Sequence, residues 1–308
     1  MSKKVLIGTK KPFAPEARDA TLSLLKEAGY EAMVLEGYED SAELLAAVKD
    51  VNALIVRSDK VTDEVMAEAP ELKIVVRAGA GFDNVDCEAA SSRGIVVMNT
   101  PGQNSNAVAE LAIGMMIMAA RGKYDGKPGT ELRGKTLGLQ AFGNVALRVA
   151  QIAIDGFNMK VIAYDPFIPE EKIKEAGVTP VSSLEELYRE SDYLSLHIPA
   201  TEETRGSVDY KLMNLMKKNA VLVNTARAEV IDEDGLLNIY REHPDFRYVS
   251  DVAPDNKDDM MVCDGNRCFF TPKKMGAQTA EANLNAGVAA ARQIIGFFEE
   301  GDTTFKVN

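Results

Sequence analysis

Tryptophan is absent from this 308-residue chain, histidine occurs twice, and cysteine three times, at Cys87, Cys263 and Cys268. Three scattered cysteines make no disulfide framework, and no metal is expected. Long apolar runs are missing too. The longest, from about Ala107 to Ala120, is interrupted by Glu110. It falls short of the roughly 20 residues that cross a bilayer, so it suits a buried helix, and no membrane partner is expected. Positive charge is in short supply: 35 Lys and Arg against 47 Asp and Glu give a formal net charge of -12. That balance argues against nucleic acid or an anionic membrane as partner and confines any basic site to a local cluster. The N-terminus, MSKKVLIGTK, runs into a strand pattern with no signal-peptide apolar core, so a cytoplasmic location is expected. Low-complexity tracts and short-period repeats are also lacking.

What is present is an ordinary globular composition, 46% hydrophobic and 27% charged, in a chain long enough for two domains. Short β-branched runs, KVLIG, EAMVLEG, NALIVRS, LKIVVRA and GIVVMN, alternate with amphipathic segments. That alternation is βαβ repetition and predicts a parallel sheet covered by helices. A long helix is expected near residues 105–121, followed by a Gly/Lys-rich connector, RGKYDGKPGTELRGK, that marks a boundary. The alternation restarts with TLGLQAF, VIAYD, DYLSLHI, AVLVN and FRYVS, which predicts a second parallel sheet. The fold class is therefore α/β, with two doubly wound parallel-sheet domains. The last helical pattern, TAEANLNAGVAAARQIIGFFEE, has no strand after it and is expected to return to the first domain.

A doubly wound sheet binds dinucleotides where its first strand turns into its first helix, because helix N-terminal amides and the macrodipole favour a pyrophosphate. The segment LGLQAFGNVALRVA occupies that place, with Ala141, Gly143 and Ala146 at the three positions of the G-x-G-x-x-G pattern. Gly143 stands where backbone approaches the phosphates most closely, and alanine at the third position is an accepted variant. Ala141 is a departure, and alone the match is weak. The next strand strengthens it: VIAYD ends in Asp165, nineteen positions after Ala146, where a carboxylate can accept ribose hydroxyls and repel a 2′-phosphate. NAD is then preferred over NADP.

Several ordered blocks resemble the D-2-hydroxyacid dehydrogenase family, and within it the short D-3-phosphoglycerate dehydrogenases without a regulatory domain. They are VRSDKVTDEVMAEAPELKIVVRAGAGFDNVD, GIVVMNTPGQNSNAVAELAIGMMIMAAR, ELRGKTLG, HIPATEETRG, LMKKNAVLVNTARAEVIDEDGL and MGAQTAEA. The resemblance covers nearly the whole chain. It implies a substrate domain from residues 1–100 with 284–308, and an inserted NAD-binding domain from 101–283. It also implies NAD-dependent oxidation of D-3-phosphoglycerate, the first step of serine biosynthesis, and a homodimer paired through the cofactor domains.

Carried onto this sequence, the family pattern makes Arg227 the group that holds the substrate carboxylate and polarises the C2 oxygen, a task that suits a bidentate guanidinium. Gly79, Ala80 and Gly81 resemble the loop whose amides grip that carboxylate. Arg57, Ser58 and Arg77, at neighbouring strand ends, resemble residues that receive the substrate phosphate, and Asn104 resembles the asparagine near the substrate and hinge. Cofactor contacts are implied at Gly143, Asn144, Val145, Asp165, Thr204, Ala226 and Asp251.

The family's proton carrier is a histidine before a Gly-Ala step, assisted by a glutamate upstream. Neither His197 nor His243 precedes MGAQT. Lys274 falls at the histidine position with Lys273 beside it, which resembles a lysine subtype of the short enzymes, and the register between the two lysines stays open. The glutamate's segment is DVAPDNK here, with Asp255 or Asn256 near its place. The two changes are consistent, since lysine starts near pKa 10.4 and a paired carboxylate would hold it protonated. Arg227 and Lys273 are expected to favour the neutral form of Lys274, and oxidation is expected to have an alkaline optimum. Two other readings are an unphosphorylated hydroxypyruvate or glyoxylate reductase, and a non-catalytic NAD-responsive binding protein.

Overall fold

Strands buried on both faces, as Ala53–Val56, Tyr193–Leu196 and Val221–Asn224 are here, become near-continuous apolar runs; the described residues, 2–308, of a computed structural model contain twelve strands. They are β1 (Lys4–Thr9), β2 (Glu31–Glu36), β3 (Ala53–Val56), β4 (Ile74–Arg77), β5 (Val96–Asn99), β6 (Thr136–Gln140), β7 (Lys160–Tyr164), β8 (Thr179–Pro180), β9 (Tyr193–Leu196), β10 (Val221–Asn224), β11 (Arg247–Ser250) and β12 (Cys268–Phe270). The chain divides into two units, Met1–Asn104 with Gln278–Asn308, and Ser105–Ala277. The first division falls just before the unbroken helix Ser105–Ala120, four residues beyond the expected boundary at 100. The second falls ahead of Thr279, whose hydroxyl caps the helix Ala280–Glu300, so that whole helix joins the first unit. The glycine-rich connector lies inside the second unit, between the Ser105–Ala120 helix and β6, and marks no unit boundary.

The first unit is a five-stranded parallel sheet in the order β2-β1-β3-β4-β5, a flavodoxin-like winding. Alternate residues pack to opposite faces: Leu6, Leu54, Val75 and Val97 on one, and Val5, Ile7, Ile55, Ile74 and Val76 on the other. Ala286, Ala290, Ala291 and Ile294 of the last helix complete the second of these cores. That helix lies close to the helix Pro15–Glu27, where a Cβ on Gly287 would come within 2.5 Å of the Thr21 Oγ1. Along the free edge, the Val307 N–H donates to the Val97 carbonyl (2.9 Å), and the Asn308 side chain accepts from the Val97 N–H (2.8 Å) and donates to the Ile95 carbonyl (2.9 Å). An otherwise open β5 edge is thereby covered.

The second unit is a seven-stranded parallel sheet in the order β12-β11-β10-β9-β6-β7-β8. Its first strand in sequence, β6, lies inside the sheet next to the central β9, and the winding reverses between β6 and β9, where ligands of such sheets bind beyond the carboxyl ends of the strands. No helix among the described residues is long and apolar enough to cross a membrane. Nor do they contain a group of three or more His, Cys, Asp or Glu side chains able to hold a metal ion.

Candidate active site

At the reversal point β6 ends at Gln140, the chain turns through Ala141–Phe142–Gly143, and the helix Asn144–Phe157 begins. Ala141 adopts φ 72°, the left-handed conformation that the glycine of the full pattern adopts without strain. Gly143 is different. Its φ of -82° suits any residue, and a Cβ built on it meets nothing within 4 Å. Neither backbone nor packing within the chain calls for glycine there, and the space above it is open to a group from outside. The helix N-terminus has no side-chain cap, which leaves the first-turn amides, those of Asn144 and Val145 among them, for an anion. Ala146 is fully buried. The Asp165 carboxylate accepts the Phe142 N–H (2.8 Å) on one oxygen and the Phe167 and Ile168 N–H groups (2.8 and 3.2 Å) on the other. It therefore ties the end of β7 to the glycine turn while remaining only half-buried. These residues fit a dinucleotide.

The cations follow β10 and β12, Arg227 after the first and Lys273 and Lys274 after the second. The Arg227 Nη1 donates to the Ala226 carbonyl at 3.1 Å, and the Lys274 Nζ donates to the same oxygen at 2.8 Å. The structure thus brings Arg227, Ala226 and Lys274 together on one acceptor. Lys273 is exposed. Asp251, at the end of β11, is 1% exposed, and its oxygens accept the Thr271 hydroxyl (3.0 Å), the Met275 N–H (2.8 Å) and the Gly276 N–H (2.7 Å). Its carboxylate faces the lysine loop, a use that the sequence, pointing to the nicotinamide, did not suggest. Asn224 is another residue missed. It is 2% exposed, and its amide accepts the Ala226 N–H (3.0 Å) and donates to the Arg227 carbonyl (2.9 Å).

Other expected contacts are engaged locally. The Thr204 hydroxyl donates to the Pro199 carbonyl (2.6 Å) and accepts the Thr201 N–H (2.7 Å), closing its own turn. The Asn256 side chain donates to the Glu233 carbonyl (2.7 Å), and the Asp255 N–H donates to the Glu233 carboxylate (2.9 Å), so this segment is fastened to the helix Glu233–Glu242. His197 follows β9, its Nε2 enclosed without a hydrogen-bond partner, and burial pushes its pKa down to about 4.

In the first unit Arg57 is half-buried, and its Nη1 donates to the carbonyls of Lys11 (3.3 Å) and Pro12 (2.9 Å) while the guanidinium stacks 5.0 Å from the Phe13 ring centre. Burial lowers its pKa, opposed by the nearby carboxylates of Asp59 and Glu36. Arg57 and Asp59, which accepts the Lys10 N–H at 2.7 Å, pin the β1 loop from the end of β3. Ser58 is exposed beside them. Gly79 has φ 149°, and a Cβ there would fall 1.5 Å from the Arg77 Nη1, so glycine lets the arginine fold across it. The Gly79 N–H already donates to the Arg77 carbonyl (2.9 Å), whereas Ala80 is exposed with its carbonyl held by the Asn99 side chain (2.6 Å). Asn104 is half-buried at the last position of its segment.

The reversed winding, the open glycine and the two cations fit a dinucleotide-dependent dehydrogenase. The chain belongs to the D-isomer specific 2-hydroxyacid dehydrogenase family, whose NAD binding domain model matches residues 108–273, and NAD is its cofactor. It is similar to a solved NAD+-bound 3-phosphoglycerate dehydrogenase of Entamoeba histolytica, at 45% identity and a TM-score of 0.90, covering 100% of this chain and 99% of that one. A D-3-phosphoglycerate dehydrogenase of Methanocaldococcus jannaschii is 39% identical over 289 residues, 89% of this chain and 54% of its own length. A hydroxypyruvate reductase of Thermotoga maritima is 37% identical over 91% of this chain and 95% of its own. The chain thus spans about half the length of the archaeal relative.

Proposed function

We propose that this chain oxidises D-3-phosphoglycerate to 3-phosphohydroxypyruvate with NAD, as a cytoplasmic homodimer. The observation that carries the reading is the convergence of the Arg227 Nη1 and the Lys274 Nζ on the Ala226 carbonyl oxygen. A 2-hydroxy acid needs a cation for its carboxylate and a group that takes its hydroxyl proton. Arg227 answers the first need and Lys274 the second, and their sharing of one oxygen supports a common reacting centre. NAD, when bound, accepts the hydride from C2. Gly143, Asn144 and Val145 would hold its pyrophosphate, and Asp165 its ribose hydroxyls. Arg57, Ser58 and Arg77 are assigned to the substrate phosphate.

The chain should form NADH from 3-phosphoglycerate, faster at alkaline pH because oxidation requires the base form of lysine. Lys274→Ala should lower kcat by roughly 10²-fold or more and Lys273→Ala far less. Absence of NADH from a folded, NAD-binding sample sinks the reading, and normal turnover by Lys274→Ala sinks the assignment of the base. The dimer is checked by light scattering. Reduction of an unphosphorylated oxo acid is the second reading, favoured by Arg57, whose Nη1 is occupied by two carbonyls. A substrate panel on Arg57→Ala separates them: the phosphoglycerate reading requires a loss confined to the phosphorylated acid.

A further inference from the structure

β1 and β3 run parallel as neighbours, with Ile7 beside Ile55, so the loops that follow them leave the same edge of the first sheet side by side. The loop after β1, Lys10–Phe13, is fastened at every residue. The Lys10 N–H donates to the Asp59 carboxylate (2.7 Å) and the Phe13 N–H to the Glu36 carboxylate (3.0 Å). Between them the Lys11 carbonyl accepts the Thr9 hydroxyl (2.9 Å) and the Arg57 Nη1 (3.3 Å), and the Pro12 carbonyl accepts the same Nη1 (2.9 Å). Pro12 has a fixed φ, and the buried Phe13 ring packs against the Arg57 guanidinium. The loop is therefore stiff, and it is built around Arg57.

Arg57 by itself is poorly supplied for a phosphate. A phosphate monoester carries a charge of about −1.5 to −2 near neutral pH. Arg57 carries one positive charge, gives its Nη1 to two carbonyls, and is offset by the nearby Asp59 and Glu36 carboxylates. Two lysines of the loop stand beside it with different occupations. The Lys10 Nζ donates to the Glu39 carbonyl (3.0 Å) and sits 5.3 Å from the Tyr38 ring centre, drawn toward the end of β2. Lys11 is exposed, and its amine has no partner among the described residues.

We propose that Lys11 is a further cation for the substrate phosphate and a determinant of preference for phosphorylated over unphosphorylated 2-hydroxy acids. This deepens the phosphoglycerate reading above and rests on it. Lysine binds phosphate as a point charge on a flexible stem, so it needs no bidentate geometry, only a backbone anchored near the anion. The bonds from Thr9 and Arg57 to the Lys11 carbonyl supply that anchor, one hydrogen bond away from the arginine assigned to the phosphate. With the backbone already fixed, only the stem has to be ordered on binding, which keeps the entropic cost low.

The experiment compares wild type, Lys11→Met, Lys11→Arg and Lys60→Met in the full chain. Lys11 holds the loop through its backbone alone, so its replacement leaves the loop bonds in place. Lys60, an exposed lysine beyond the end of β3, controls for general charge. The Kd for 3-phosphoglycerate and for D-glycerate is measured by calorimetry on the NADH-loaded chain, where no oxidation follows, and turnover of 3-phosphoglycerate is measured with NAD. Lys11→Met should raise the Kd and KM for 3-phosphoglycerate about tenfold, the worth of one hydrogen bond to a charged group. Its kcat and its Kd for D-glycerate should stay within about twofold of wild type. Lys11→Arg should restore most of the affinity, and Lys60→Met should leave it unchanged.

Unchanged affinity for 3-phosphoglycerate in Lys11→Met overturns the proposal, as does an equal loss for D-glycerate or an equal loss in Lys60→Met. A wild-type chain that binds the two acids equally would remove the phosphoglycerate reading and the proposal with it. That failure shows in the wild type rather than in a variant, so the two are distinguishable.

Discussion

Ala141 holds a conformation, φ 72°, that costs an L-residue roughly 1–2 kcal/mol relative to glycine. Ala141→Gly relieves that strain but loosens the unfolded chain, so a net gain of about 1 kcal/mol is expected. A rise in the urea midpoint without weaker NAD binding would show it. His197 gives a second prediction. Its pKa of about 4 in the folded chain lies below the unfolded value of 6.5, so the folded state resists protonation. The stability it contributes is complete above pH 6.5 and is lost as pH falls toward 4, by up to about 3 kcal/mol. His197→Asn should flatten that part of the stability profile relative to wild type; an unchanged difference between the two proteins across this range would count against it. Much of the site is legible in residue identities alone, since Gly143, Asp165, Arg227 and the lysine pair stand in motifs. The acceptor that unites Arg227 and Lys274 is not, because a backbone carbonyl leaves no mark in a sequence. The bonds that Asp251 and Thr204 make within the chain are hidden for a related reason. Nothing in their identity says which donors and acceptors they meet.

Among the elements, the longer strands and the helices Ser105–Ala120 and Ala280–Glu300 are evident from apolar runs and helical spacing. β8, two residues, and β12, three residues, are not, since runs so short carry no periodicity, and Pro180 within β8 argues against a strand until the edge position is known. The Gly/Lys-rich connector misleads for a different reason: turn-rich composition marks any exposed link, inside a unit as well as between two. The contact between the helices Pro15–Glu27 and Ala280–Glu300 depends on Gly287 against Thr21. Gly287→Val should force those helices apart and destabilise the first unit by about 1–3 kcal/mol. Hydrogen exchange should quicken in β1 and β3 and stay unchanged in β6 and β9. Loss of protection in both sheets alike would contradict the assignment of the last helix to the first unit.

Across the whole molecule, the second unit is one continuous stretch, Ser105–Ala277, and contains both faces of its own core. Residues 105–277 alone should therefore fold and bind NAD, measured by a cooperative melt that rises with added cofactor, whereas residues 1–104 alone should not melt cooperatively. The first unit is drawn from two distant stretches, and Ala286, Ala290, Ala291 and Ile294 are part of its core. During synthesis, that core has to wait. The first 104 residues leave the ribosome with one sheet face covered only in part, by the helix Pro15–Glu27, while the 173 that follow can mature behind them. At about 5–20 residues per second the wait lasts on the order of ten seconds or more. For that interval the part of this face that the last helix would cover is a nascent apolar surface, and slowing translation between residues 105 and 277 should increase the share of chains that chaperones capture.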